Sequence, residues 1–347
     1  MEDRRNNELN IINNNNVNNV NNVNNNNNNN NNKSETPVAD TPAAVAGRRE
    51  MPSFDGRYGR EALAALLAAE RKYSAMRRRQ LTPSRLTSRH VRLNCKMRAI
   101  VVSWLMEVSA EYRLTPGTCH LAITLFDNYL AAARNVPRNK LQLIGVTALF
   151  IAAKLEEAYP PTVSELADVT DRAYSEDEIR GAERALLATL RWELHPPTVP
   201  AFVAIYLDLV TATAAQHGLT SRLLQDRSAG FRAAMAAVDA VILDLRVTAI
   251  VPASLMAAAA VYVISAGGVP GIEAVLDMPS AALVDTVEVI IRYADDNLLH
   301  LLAESQLVTD SGVRQDDQRG PVHPVDHIQN FSRPDLQQVL TFFKTKL

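Results

Sequence analysis

Leu143-Ile144-Gly145-Val146-Thr147-Ala148-Leu149-Phe150-Ile151-Ala152 is matched far downstream by Leu255-Met256-Ala257-Ala258-Ala259-Ala260-Val261-Tyr262-Val263-Ile264. Wound as a helix, either stretch is apolar on every side, and such a helix sits inside a ring of others. Small residues recur three apart in both, Gly145/Ala148 and Ala257/Ala260, which lets neighbouring helices approach closely. Two such central helices imply two similar bundles, divided near Trp192 to Thr198. The punctuation agrees. Pro116, Pro137, Pro161, Pro197, Pro252, Pro270 and Pro279 each fall where a connection or a first helical turn belongs. No segment alternates with period two, so the chain reads as all-α.

The 347 residues are 47% apolar, 21% charged and 5% aromatic, with a net charge of −2. That length fits two domains of ordinary size, and the near-neutral charge argues against a dedicated nucleic-acid binder. Two cysteines, Cys95 and Cys119, exclude a disulfide framework and a cysteine-rich zinc module. Met1 to Asn16 is polar and lacks the apolar core of a secretory signal, so an intracellular, reducing compartment is expected. No residue between Arg246 and Glu273 is charged, and Ala249 to Pro270 is nominally long enough to span a bilayer. Its alanine content, Pro252 and the Gly267/Gly268/Pro270 cluster favour a buried helix of a soluble domain instead.

Residues 1–56 form a low-complexity tail, asparagine-dominated from Asn6 to Asn32, that buries almost nothing and is expected to be disordered. Residues 57–94 hold an alanine- and leucine-rich helix at Arg60 to Arg71 and then a basic linker. Arg71 to Arg98 carries ten Lys or Arg and no Asp or Glu; a solvated linker is favoured over an acidic-partner or nuclear-import patch. The bundles are set at 95–196 and 197–308, with a C-terminal extension at 309–347 whose last helix starts near Phe331, Ser332 and Pro334.

The helix around Met97 is unusual. Met97, Ile100, Val101, Trp104, Leu105 and Val108 make one apolar stripe, and Val102 and Met106 widen it to about two-thirds of the circumference. Either both sides pack internally or one side is an exposed apolar groove; periodicity alone favours internal packing.

Met97-Arg98-Ala99-Ile100-Val101-Val102-Ser103-Trp104-Leu105-Met106-Glu107-Val108 closely resembles the opening helix of the cyclin box. Leu125-Phe126-Asp127-Asn128-Tyr129-Leu130, Lys140-Leu141-Gln142-Leu143, Ala152-Ala153-Lys154-Leu155-Glu156-Glu157, Tyr159-Pro160-Pro161 and Trp192-Glu193-Leu194 follow in the family's order. The similarity runs from about Arg57 to Leu307, with a second, weaker box from Thr198, and leans toward the A- and B-type cell-cycle cyclins. It implies two tandem five-helix bundles without an active site, cofactor or metal. Such a protein is the regulatory subunit of a cyclin-dependent protein kinase, in the nucleus and cytoplasm. Docking against the kinase's movable regulatory helix favours the position in which its glutamate pairs with the phosphate-binding lysine.

The resemblance also assigns residues. Lys154 matches the lysine that donates to kinase backbone carbonyls, a use that suits an ammonium's three donors, and Glu183 the glutamate beside it. Leu155, Leu187 and Leu194 match apolar contacts, although Leu155 stands where phenylalanine is frequent. The helix at Arg60 to Arg71, also a kinase-contact element in the family, is unusually rich in alanine. Arg98 and Asp127 match a structural ion pair, which suits arginine's bidentate geometry.

Met97, Ile100, Val101, Trp104, Leu141 and Gln142 match the patch that receives Arg-x-Leu motifs of substrates and inhibitors, one buried leucine contributing roughly 1.5–3 kcal/mol. Glu107, with Asp171 as a second candidate, would pair with the motif's arginine; Ser103 replaces an aspartate common there. The context therefore shifts the wide apolar arc toward the groove reading. No Arg-x-x-Leu or Lys-Glu-Asn destruction signal lies in residues 1–50. The seven histidines follow no metal-binding spacing. The competing readings are a transcription-type cyclin and a cyclin-fold transcription factor that binds nucleic acid. The latter would want basic stripes on the box helices, and the basic cluster precedes them.

Overall fold

The protein is described by a computed structural model over residues 56–76, 80–218, 222–265, 269 and 272–293. Residues 1–55 of the predicted tail, Arg77 to Arg79, Gly267-Gly268, Pro270, residues 294–308 of the second bundle and the 309–347 extension lie outside the described residues. Among the described residues every regular element is helical. In chain order these are α1 (Gly56–Met76), α2 (Pro83–Arg89), α3 (Cys95–Glu111), α4 (Pro116–Ala132), a 3-10 turn (Arg138–Lys140), α5 (Leu141–Glu156), α6 (Val163–Val169) and α7 (Glu176–Leu190). The second half holds α8 (Val199–Gln216), α9 (Arg222–Gln225), α10 (Arg227–Ile242), α11 (Leu245–Thr248), α12 (Ala253–Ile264), α13 (Ile272–Leu276) and α14 (Ser280–Tyr293).

Local chemistry sets most helix starts. Asn94 caps α3 by accepting the Met97 N–H at 3.0 Å. Thr115 caps α4 ahead of Pro116, and Thr82 caps α2 ahead of Pro83, prolines whose missing N–H costs nothing in a first turn. Thr162/Glu165 and Ser175/Glu178 form reciprocal capping boxes on α6 and α7. Pro137 precedes the 3-10 turn, Pro161 α6, Pro197 α8 and Pro279 α14, while Pro252 is the N-cap of α12.

α5 and α12 are the two central helices. Leu143 to Leu149 are buried without interruption in α5, as are Met256 to Ile264 in α12. α3, α4 and α7 pack on α5; α8, α10 and α14 pack on α12. Gly145 is where α3 comes nearest: a Cβ there would stand 2.8 Å from Val101 Cγ1. The uncharged 246–273 segment yields α12, only 12 residues long, or about 18 Å at 1.5 Å per residue against roughly 30 Å of hydrocarbon. α8, at 18 residues, is long and apolar enough to cross a membrane, but 61% of its apolar window is buried inside the second core, as in the core helix of a soluble bundle.

Polar bridges join the halves. Arg98, 1% exposed, makes a fork to Asp127 (Nε to Oδ1 3.0 Å, Nη2 to Oδ2 2.7 Å). Its Nη1 donates to the Ile242 and Leu243 carbonyls at 2.6 and 3.1 Å. Buried His120 on α4 meets Asp239 of α10 at 2.9 Å.

Candidate functional site

Two neighbouring surfaces of the first bundle collect the residues singled out in the sequence. The first is built by the C-terminal turn of α5 and one face of α7. Ala152 and Ala153 are buried, and the helix then emerges: Lys154 and Glu156 are exposed and Leu155 is 37% exposed. Lys154 lies in the last turn of α5, where the unpaired helix carbonyls favour a cation. Its ammonium donates to Glu183 Oε1, reaching from α7, and sits 4.1 Å from the Phe150 ring centroid. The cation is thus held from two sides, by a carboxylate and an aromatic face, while keeping solvent access. The resemblance supplied the Lys154–Glu183 pair but not Phe150, although the i, i+4 spacing on one helix carries that signal.

The apolar residues assigned to this surface divide. Leu155 is exposed and Leu187 half-buried against the first core, but Leu194 is 6% exposed and belongs to that core with Leu186 and Leu190. The expectation of Leu194 as a surface contact is corrected accordingly: it backs the surface from beneath. Two further aromatics beside these segments, Tyr159 and Trp192, are exposed.

The second surface lies where α3 meets the start of α5. The wide apolar arc resolves both ways at once. Val101, Val102, Leu105 and Val108 point into the core, whereas Ile100 is 41% exposed and Met97 and Trp104 are half-buried along the rim. Trp104 bridges the first core and a smaller cluster of Leu143, Val146, Leu166 and Ile179. Leu141 is buried and Gln142 half-buried, so Val101 and Leu141, expected as lining, are floor residues. Glu107 is exposed and accepts from Ser103 Oγ at 3.5 Å. Asp171 is exposed on the turn after α6 with a left-handed φ of 58°. At the groove's other end Lys140 donates to Glu178 at 3.0 Å. The Ser175 backbone N–H, followed by Lys140, holds the Glu178 carboxyl below the usual range, and burial pushes Tyr174 up.

Among the described residues no group of three or more His, Cys, Asp or Glu is placed to hold a metal ion. The Cys119 thiol is driven up to about 11, chiefly by burial.

Comparison with known proteins follows the same geometry. Residues 70–195 match the family described as cyclin, N-terminal domain. Over 123 residues the chain is 48% identical to a G1/S-specific cyclin-E of Hemicentrotus pulcherrimus, covering 35% of this chain and 29% of that protein. A G2/mitotic-specific cyclin-B1 of Oryzias javanicus is 40% identical over 129 residues, 37% of this chain and 32% of that one. The chain therefore spans about a third of the length of these curated relatives. The leaning toward A- and B-type members was approximate, since an E-type relative matches at higher identity than this B-type one. In fold, the chain resembles the crystal structure of a viral cyclin from herpesvirus saimiri, with a TM-score of 0.55 at 17% identity, covering 67% of this chain and 96% of that one. The family likeness is thus confined to residues 70–195, which are similar to the cyclin N-terminal domain.

Proposed function

We propose that this chain is the activating, non-enzymatic subunit of a cyclin-dependent protein kinase in cell-cycle control, acting in the nucleus and cytoplasm. Residues 95–196 and 197–308 are its two boxes, and the surface formed by α5 and α7 is its kinase-docking face. The observation that carries this reading is Lys154: a cation at a helix end, steadied by Glu183 and the Phe150 ring, beside exposed Leu155. Two of its three N–H donors remain for backbone carbonyls of a partner helix. A rigid bundle presenting that group stabilises one position of a movable kinase helix and so shifts the kinase population toward its active form. ATP and phosphoryl transfer belong to the partner.

The groove of Met97, Ile100 and Trp104, flanked by Gln142 and Glu107, is the second docking site, for a leucine and an arginine of Arg-x-Leu segments in substrates or inhibitors. Ser103 next to Glu107 leaves a single carboxylate on that part of α3, so arginine should contribute less here than leucine. The test is histone-type kinase activity after mixing the chain with a cyclin-free cell-cycle kinase. Wild type is expected to activate, and a Lys154→Ala/Glu183→Ala double variant with unchanged helicity is expected not to. Equal activation by both would remove the docking face; no binding to any cell-cycle kinase would remove the function.

A further inference from the structure

The second bundle carries none of the residues of the two surfaces described above, yet it holds the N-terminal helix. Leu63 and Leu67 of α1 are buried in the second core, together with half-buried Ala62 and Leu66. Gly59 lies so close to Leu209 of α8 that a Cβ would stand 3.1 Å from its Cδ2. Past Leu67 this packing gives out. The C-terminal half of α1 overlooks a cavity of about 380 Å³ bordered by Glu70, Tyr73, Arg98, Asp127, Pro252 and Met256. There the helix is attached by polar links. Tyr73 Oη donates to the Glu193 carbonyl at 3.4 Å and accepts from Asn128 Nδ2 at 3.0 Å. Glu70 makes the shorter contacts, accepting the Ser254 backbone N–H at 3.0 Å and the Ser254 hydroxyl at 2.6 Å.

The reason Glu70 is needed lies in α12. Its N-cap is Pro252, which has no side-chain acceptor and makes no cap hydrogen bond. The first-turn N–H groups of a helix need a partner, and a carboxylate is the best one because the helix dipole favours negative charge there. Glu70 supplies from 184 residues away what Pro252 cannot. It lies seven residues after Leu63 and three after Leu67, on the same face of α1. The opposite face (Glu61, Ala64, Ala65, Ala68 and Lys72) is exposed.

We infer that Glu70 is a positioning residue that caps α12 in trans, making the second bundle the platform that sets where the exposed face of α1 is presented to the kinase. The last clause rests on the kinase-subunit reading. The capping itself does not.

The experiment pairs two readouts on Glu70→Ala and Glu70→Gln in the full chain. In the free chain, amide exchange along α1 should accelerate about ten- to a hundredfold in Glu70→Ala, the scale of a lost hydrogen bond to a charged group. Glu70→Gln, which keeps one acceptor, should fall between Glu70→Ala and wild type, and α4 and α5 should be unchanged. With the kinase, Glu70→Ala should raise the concentration for half-maximal activation while leaving the saturated rate intact. Unchanged exchange in α1, or acceleration throughout the first bundle, would overturn the capping role. Faster α1 exchange with an unaltered half-activation point would overturn the platform role. If exchange responds as stated but wild type activates no kinase, the capping stands and the kinase-subunit reading fails.

Discussion

Removing the guanidinium of Arg98 is predicted to be among the costliest single changes in the described fold. The side chain is 1% exposed, its fork satisfies both Asp127 oxygens, and its third nitrogen closes the Ile242 and Leu243 carbonyls at the end of α10. Arg98→Met fills similar space but leaves a carboxylate that is only 14% exposed without its partner, and two carbonyls without a donor. Breaking one side of a buried pair costs about 3–5 kcal/mol. With a urea dependence near 3 kcal/mol/M, that is a midpoint lowered by about 1–2 M. Asp127→Asn should be nearly as damaging, because the buried cation then faces a neutral amide. In the double variant Arg98→Met/Asp127→Asn the stranded charge disappears, so the loss should fall short of the two single losses added together by about 1–3 kcal/mol. Far-ultraviolet dichroism against urea, with all four proteins at one pH and salt, measures this cycle. Additive losses, or a midpoint for Arg98→Met within about 0.3 M of wild type, would refute the reasoning.

Other consequences follow from packing and from burial. Gly145→Ala must push Val101, a β-branched residue with one preferred helical rotamer, and should cost about 1–3 kcal/mol. Gly230→Ala meets the Leu223 carbonyl at 2.4 Å, backbone that yields less readily, and should lower the melting temperature further than Gly145→Ala. Cys119, driven up to about 11 from 9.0, carries about a hundredfold less thiolate than an ordinary cysteine at pH 8. Iodoacetamide should therefore label half-buried Cys95 first and reach Cys119 only on unfolding, as read by mass spectrometry. The Asp244 carboxyl is held well below the carboxylate range by hydrogen bonds from Arg246 and then Tyr293. A depressed carboxyl stabilises the fold above its unfolded value of about 3.9, and that contribution fades as pH falls toward the folded value. Asp244→Asn should accordingly lower the urea midpoint at pH 7, with the gap to wild type narrowing between pH 4 and pH 2.

The bundle architecture was legible because α5 and α12 are apolar all round and proline marks nearly every connection, signals that are local in sequence. The Lys154–Glu183 contact and the partly exposed α3 stripe, as pieces of geometry, were legible through motif order. What stayed hidden depends on contacts between distant segments. Arg98 reads as half of a pair, and nothing near it says that α10 ends against its third nitrogen. Glu70 looks like one more surface acid until Pro252, far downstream, is seen to lack an acceptor. Leu194 and Val101 were assigned outward because motif matching gives position along the chain, whereas burial depends on the tilt at which α7 and α3 settle on α5.

The proposed docking face is tested most directly by amide exchange on the wild-type chain with and without a cell-cycle kinase. New protection is expected at the end of α5 around Lys154 and Leu155 and along the Glu183–Leu187 face of α7, with α10 and α14 unchanged. Protection confined to α10 and α14, with residues 153–156 exchanging as in the free chain, would contradict it.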